Sequence, residues 1–210
     1  MNSIAIIDYG IGNLRSAEKA FQHLGFDASL VNDPKELVSA QKVVLPGVGA
    51  FGECMGNLKA HGFVEPLREA VSSGKPLLGI CVGLQMLFEG SEESPGVSGL
   101  GLLKGTVKRF SGAAFEGQDG LKVPQIGWNA LSFPREHALF KGIVAGSYVY
   151  FVHSFYAQPD DSANVLALAE YGMNFCAAAG KENVAGVQFH PEKSQAVGLN
   201  ILENFGRSTK

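Results

Sequence analysis

Lys75-Pro-Leu-Leu-Gly-Ile-Cys81-Val-Gly-Leu-Gln85-Met-Leu-Phe88 decides the fold: an apolar run enters Gly79-Ile-Cys81-Val-Gly83 and leaves it as a helical pattern. A strand that passes straight into a helix through a glycine-flanked turn has the form of a nucleophile elbow, here with cysteine in the serine position. Glycine is called for at 79 and 83 because side chains there would meet neighbouring backbone at a strained turn. The turn lifts position 81 out of the sheet and sets it at a helix N-terminus, where free N–H groups and the helix dipole favour thiolate over thiol. The plainer reading makes Cys81 a small buried hydrophobe, as free cysteines usually are. Cys54 and Cys176 lack any such frame, and for them the plainer reading holds.

Outward from the elbow, the first half of the chain alternates short apolar runs with amphipathic stretches. Ile4 to Ile7, Ala28 to Val31, Val43 to Leu45 and Pro76 to Ile80 read as strands of β-α units feeding a parallel sheet. A helix from about Asn13 carries Leu14, Ala17, Phe21 and Leu24 on one stripe, with Gly25 as its stop. The second half is richer in strands, with Thr106 to Phe110, Trp128 to Phe133, Tyr148 to Tyr156, Val165 to Glu170, Phe175 to Ala179 and Val184 to Phe189 separated by turn residues. Some of these should pair antiparallel. Gly90 to Gly105 reads as a surface loop, and a helix from about Ser194 to Phe205 closes the chain. The expected fold is α/β: an open sheet with a largely parallel core, antiparallel additions, and helices on both faces, in one domain spanning 1–210.

Composition narrows the partners. The 210 residues are 46% hydrophobic, enough for a substantial core, and the net charge of −3 leaves no basic stripe for nucleic acid. The N-terminal stretch MNSIAIIDYG has no basic region followed by a long apolar one, so it reads as a first strand rather than a signal peptide. No apolar run is long enough to cross a bilayer. Both features point to the cytoplasm. Three cysteines without metal-ligand spacing argue against a disulfide framework or a metal site, and no motif calls for an organic cofactor.

A thiolate nucleophile needs a proton carrier. His190 ends the apolar run Val184-Ala-Gly-Val-Gln-Phe189, and Glu192, two residues on, falls on the same side of an extended segment, placed to orient the imidazole. H-P-E is equally the form of a loop after a strand. His153, inside Tyr150-Phe-Val-His-Ser-Phe155, is the rival base, but without a nearby carboxylate it reads as a structural histidine; His23, His61 and His137 read as surface residues. Donors for an oxyanion would come from the N–H of Val82 and from Pro46-Gly47-Val48-Gly49, which leaves a strand at the same sheet edge. By itself P-G-x-G is a turn signal. Gln85, one helical turn after Cys81, is placed to hydrogen-bond a polar substrate.

Together, Gly79-Ile-Cys81-Val-Gly-Leu-Gln85 and Gly186-Val-Gln-Phe-His190-Pro-Glu192-Lys-Ser194 resemble class I, triad-type glutamine amidotransferases over essentially the whole chain. The resemblance implies a Cys81, His190, Glu192 triad that forms a γ-glutamyl thioester, releases ammonia and frees glutamate with water. Four further blocks, Ile4 to Ser16, Pro46 to Gly52, Val123 to Asn129 and Tyr150 to Tyr156, are similar to the glutaminase-subunit family of imidazole glycerol phosphate synthases. That implies histidine biosynthesis and a heterodimer with a (β/α)₈-barrel cyclase, which would carry the nucleotide and ring-forming chemistry. It also implies substrate contacts at Ser154 and Phe155, and a partner face at Asn13, Arg15, Trp128 and Lys193. Where this chain has Val48, other members of the class commonly carry glycine. A β-branched residue restricts a peptide flip, so the second oxyanion donor is expected to turn inward only with the partner and its nucleotide bound. Two readings compete: a stand-alone γ-glutamyl hydrolase, and a non-catalytic subunit that only activates a barrel. Flavodoxin-like cofactor binding is weakly supported, since Asp8-Tyr-Gly-Ile-Gly12 lacks the phosphate-binding pattern.

Overall fold

The computed structural model describes residues 3–208; Met1 and Asn2 of the N-terminal stretch lie outside them. Strands β1 (Ser3–Ile7), β3 (Lys42–Gly47) and β4 (Leu77–Cys81) are buried along nearly their whole length, while β2 (Asp27–Val31) alternates between buried and accessible positions. The difference follows position: β2 is an edge strand, and the others run parallel within the sheet, covered on both sides. From β1 the chain crosses by α1 (Leu14–His23) to β2, then returns past β1 to β3, and crosses by α2 (Phe51–Ala60) and α3 (Val64–Ser72) to β4. Right-handed crossovers that travel in opposite directions put α1 and the α2–α3 pair on opposite faces.

The antiparallel additions extend the same sheet. After α4 (Val82–Met86) come β5 (Gly105–Arg109), β6 (Gln125–Ala130), β7 (Tyr148–His153), β8 (Phe155–Pro159), β9 (Val165–Glu170), β10 (Asn174–Lys181), β11 (Val184–Val187) and α5 (Gln195–Arg207). The main sheet runs β2-β1-β3-β4-β11-β10-β8-β5, with β9 on β10; β6 and β7 form a separate ribbon. β11 is the seam, parallel to β4 on one side and antiparallel to β10 on the other. Lys42, buried at the start of β3, donates to the Phe205, Gly206 and Ser208 carbonyls and so fixes the C-terminal end of α5.

Three stretches depart from the sequence reading. Tyr148 to Tyr156 is two strands, broken at Ser154: β7 pairs with β6, and β8 joins the main sheet. A β-rich run keeps its side-chain alternation across such a corner, so periodicity cannot reveal the change of neighbour. The strand expected from Trp128 to Phe133 lies earlier, at Gln125–Ala130. Gly90 to Gly105 is more than a surface loop. Leu100 and Leu103 are buried, and the N–H groups of Leu100 and Leu102 bond the Met86 and Leu87 carbonyls, so the segment caps the end of α4.

Candidate active site

Strand register assembles the site. β4 lies between β3 and β11, with Gly47 opposite Cys81 and Val187 opposite Ile80. The carboxyl ends of three neighbouring strands therefore deliver Gly47-Val48-Gly49, Cys81-Val82 and Gln188-Phe189-His190 to one place, the edge where open α/β sheets bind ligands. Cys81 adopts φ +56°, a conformation that costs a non-glycine residue about 1–3 kcal/mol. Its surroundings leave no room to relax. A methyl group on Gly83 would overlap the Leu45 carbonyl, and one on Gly79 would come within 2.6 Å of the Gly83 oxygen. One on Gly47 would sit 2.8 Å from the Gly83 nitrogen.

His190 and Glu192 form a buried pair, Nδ1 to Oε1 at 2.8 Å, each side chain 2% exposed. Glu192 reaches back from a 3₁₀ turn, Pro191–Lys193, and not along the extended segment expected from the sequence. Burial pushes the imidazole toward its neutral form, but contact with Cys81 and Glu192 outweighs it and raises the group from the ordinary 6.5 to about 10. Burial likewise raises the Glu192 carboxyl, and His190 with Asn13 overcomes it, holding the group below the usual carboxylate range. Both directions describe one ion pair. Among the described residues, the buried side-chain polar atoms without a hydrogen bond are His190 Nε2 and Glu192 Oε2. Cys81 thus biases the ring's charge although Nε2 makes no hydrogen bond. The His190 main chain is held too, its N–H bonding the Tyr150 carbonyl at 2.9 Å.

A cavity of about 300 Å³ opens on the sulfur, lined by Val48, Gly49, Cys81, Val82, Gln85, Ser154, Phe155 and His190, all singled out in the sequence. Gly47 lies behind it, in a small cleft shared with Asn13, Glu192 and His190. Gln85 is buried at the cavity wall, and its Nε2 donates to the Phe155 carbonyl at 3.0 Å and to Gln188 Oε1 at 3.1 Å. Asn13 is half-buried, and its amide donates to Glu192 Oε1 at 3.0 Å, because the loop after β1 ends at the same carboxyl edge. Arg15 is exposed and paired with Glu18, Lys193 is exposed, and Trp128 is 46% exposed on the ribbon.

Sequence reasoning missed Glu93, which lines the cavity and accepts the Phe51 N–H at 2.7 Å. It lies in the Gly90 to Gly105 segment, where a lone acid in a presumed loop carries no signal. His153, also in the wall, has the hydrogen bonds of a structural histidine: Nδ1 lies 2.8 Å from the Phe155 carbonyl and Nε2 3.0 Å from the Gln125 amide. Burial lowers it to about 4 despite the Phe155 carbonyl, and the charge of His190 acts in the same direction. Two buried donors pin carbonyls of the Pro46-Gly47-Val48-Gly49 loop: Tyr9 Oη donates to Pro46 O at 2.7 Å and Cys54 Sγ to Val48 O at 3.2 Å. Burial raises both groups, so both keep their protons. A larger surface groove of about 700 Å³ between Phe133 and Ile143 contains no cysteine. Among the described residues no cluster of three or more His, Cys, Asp or Glu is arranged to hold a metal ion.

The family model "Glutamine amidotransferase class-I" matches residues 5–208. A protein of Geobacter metallireducens named imidazole glycerol phosphate synthase subunit HisH is 53% identical over 208 residues, 99% of each chain. Its namesake in Geobacter sulfurreducens is 52% identical over 98% of this chain and 99% of its own. Among solved structures, that of PurLQS from Thermotoga maritima superposes with a TM-score of 0.73 at 20% identity, covering 97% of this chain and 96% of that one. A structure described as a glutamine amidotransferase gives 0.72 at 20% identity over 97% and 98%. At that identity the two superpositions speak for the fold alone.

Proposed function

Because this chain belongs to the class I glutamine amidotransferase family, and within it to the HisH subunits of imidazole glycerol phosphate synthase, we propose that Cys81, His190 and Glu192 hydrolyse glutamine and release ammonia for histidine biosynthesis. The observation that carries the assignment is the meeting of three strand ends: a strained cysteine opens on the cavity beside a histidine whose far nitrogen is bonded to a buried carboxylate. Cys81 attacks the substrate's side-chain carbonyl with its proton already carried on His190 Nε2. His190 then protonates the leaving ammonia, and the C–N bond breaks to leave a γ-glutamyl thioester. Water, deprotonated by the same nitrogen, adds to the thioester; the C–S bond breaks and glutamate departs. Glu192 stays ionised and keeps the ring oriented.

The Val82 N–H serves the oxyanion, with a second donor from the Gly47-Val48-Gly49 loop. Ser154 and Phe155 line the substrate's path, and the Glu93 carboxylate suits the α-ammonium group of glutamine. The partner is a (β/α)₈-barrel cyclase, met by Arg15, Lys193 and the outer face of the ribbon, where Ile126, Trp128 and Tyr148 are exposed. Turning of the pinned loop by the partner makes the glutaminase conditional. The described residues include no helix long and apolar enough to cross a membrane, and a biosynthetic role places the complex in the cytoplasm. The test is ammonia release from glutamine by the chain alone, with the cyclase and its nucleotide, and with Cys81→Ala in place of the native chain. Activity in the full mixture, lost by at least about 10⁴-fold in the variant, is expected. Full activity without the cyclase would remove the conditional loop, and Cys81-independent ammonia would remove the triad.

A further inference from the structure

Gln188 is fully buried, two residues before His190, and none of the steps above uses it. Its side-chain oxygen accepts an N–H from Gln85 at 3.1 Å, and Gln85 gives another N–H to the Phe155 carbonyl at 3.0 Å. With the oxygen committed to Gln85, the Gln188 amide nitrogen faces the Cys81 sulfur, 3.9 Å away. That is the outer range for a bulky sulfur acceptor. It is also the amide nitrogen's hydrogen-bonding partner among the described residues, and a buried N–H is costly to leave unpaired. Packing and polarity therefore converge: a buried amide is oriented by one neighbour so that its donor side meets the nucleophile.

We infer that Gln188 is a further catalytic residue that donates to the Cys81 sulfur when it bears charge, with Gln85 as its positioning residue. The inference rests on Cys81 being the nucleophile. Charge gathers on sulfur twice in that reaction: when the thiol proton has moved to His190 before the S–C bond forms, and when the C–S bond of the thioester breaks and sulfur leaves with the bonding pair. A donor fixed on the sulfur rather than on the carbonyl oxygen assists both passages.

The test is alkylation of Cys81 by iodoacetamide across pH in the purified full chain, followed by the mass of the Cys81 peptide; Cys54 and Cys176 are buried and report separately. Gln188→Met keeps the bulk and removes the donor. It should slow alkylation about 10-fold on the acid side, where the donor decides how much sulfur is charged, and leave the rate at alkaline pH unchanged. Gln85→Met leaves Gln188 in place but unoriented, should fall in between at about threefold, and decides the matter if the first variant does not fold. A loss by one factor at every pH, the mark of a merely structural role, or acid-side rates equal to wild type would overturn the inference. Wild-type chain whose Cys81 resists alkylation at every pH would instead strike the nucleophile assignment itself.

Discussion

The parallel strand ends and the β6–β7 ribbon both border the cavity, yet they hold their residues in opposite ways. Behind Cys81 the strand ends are packed without slack: Gly47, Gly79 and Gly83 have no space for a methyl group, and the cysteine is held at positive φ. The ribbon has one face in water, with Ile126, Trp128 and Tyr148 between 46% and 63% exposed. Its β7 edge and its buried face anchor the site, the edge through the Tyr150 carbonyl on the His190 N–H and the buried face through Gln125 on His153. The contrast separates two tasks. The core fixes the geometry of the proposed nucleophile, and the ribbon joins an outward apolar surface to the histidine of the proposed triad.

Mutations that touch one region and spare the other break or sharpen this division. Glu192→Gln should have the largest effect, lowering ammonia release in the complex by about 10³-fold with glutamine affinity little changed, as steady-state kinetics would report. A loss under tenfold would mean the acid does not orient His190. Next is Gly79→Ala, which sets a methyl against the Gly83 carbonyl and should cost about 3 kcal/mol in denaturant unfolding. An unchanged midpoint would show the elbow to be less crowded than described.

His153 predicts a pH effect of comparable or smaller size. Its folded value of about 4 lies below the ordinary 6.5, so below pH 6.5 the unfolded chain binds the extra proton first. The stability it contributes is present above that pH and is lost as pH falls toward 4, by at most about 3 kcal/mol. Unfolding curves for wild type and His153→Gln at several pH values should converge on acidification; parallel curves would mean His153 is protonated in the fold. The smallest effect belongs to the ribbon's outer face. Trp128→Ala should leave the chain's own stability within about 0.5 kcal/mol and weaken cyclase binding by about 2 kcal/mol, read by calorimetry. Unaltered binding would move the partner surface elsewhere.

Legibility in the sequence followed the same division. The elbow could be read because strand, glycine, cysteine, glycine and helix are local and each has one steric reason. The parallel strands announced themselves as continuous apolar runs. What stayed hidden depends on neighbours distant in sequence. Nothing in Tyr148 to Tyr156 says that the chain changes sheets at Ser154, and nothing near Glu93 says that α2 and the cavity lie beside it. Asn13 lies between these cases: the β-α rule that locates Gly47 brings the loop after β1 to the same carboxyl edge, but its bond to Glu192 needs the chain's far end.

The most direct test of the central claim is the mass of the Cys81 peptide after rapid acid quenching of the chain, cyclase and nucleotide during turnover of glutamine. The account predicts a glutamyl adduct on Cys81 that accumulates before steady state, absent from Cys81→Ala and depleted of ammonia-forming turnover in Glu192→Gln. Turnover without any adduct, with the alanine variant still releasing ammonia, would contradict it.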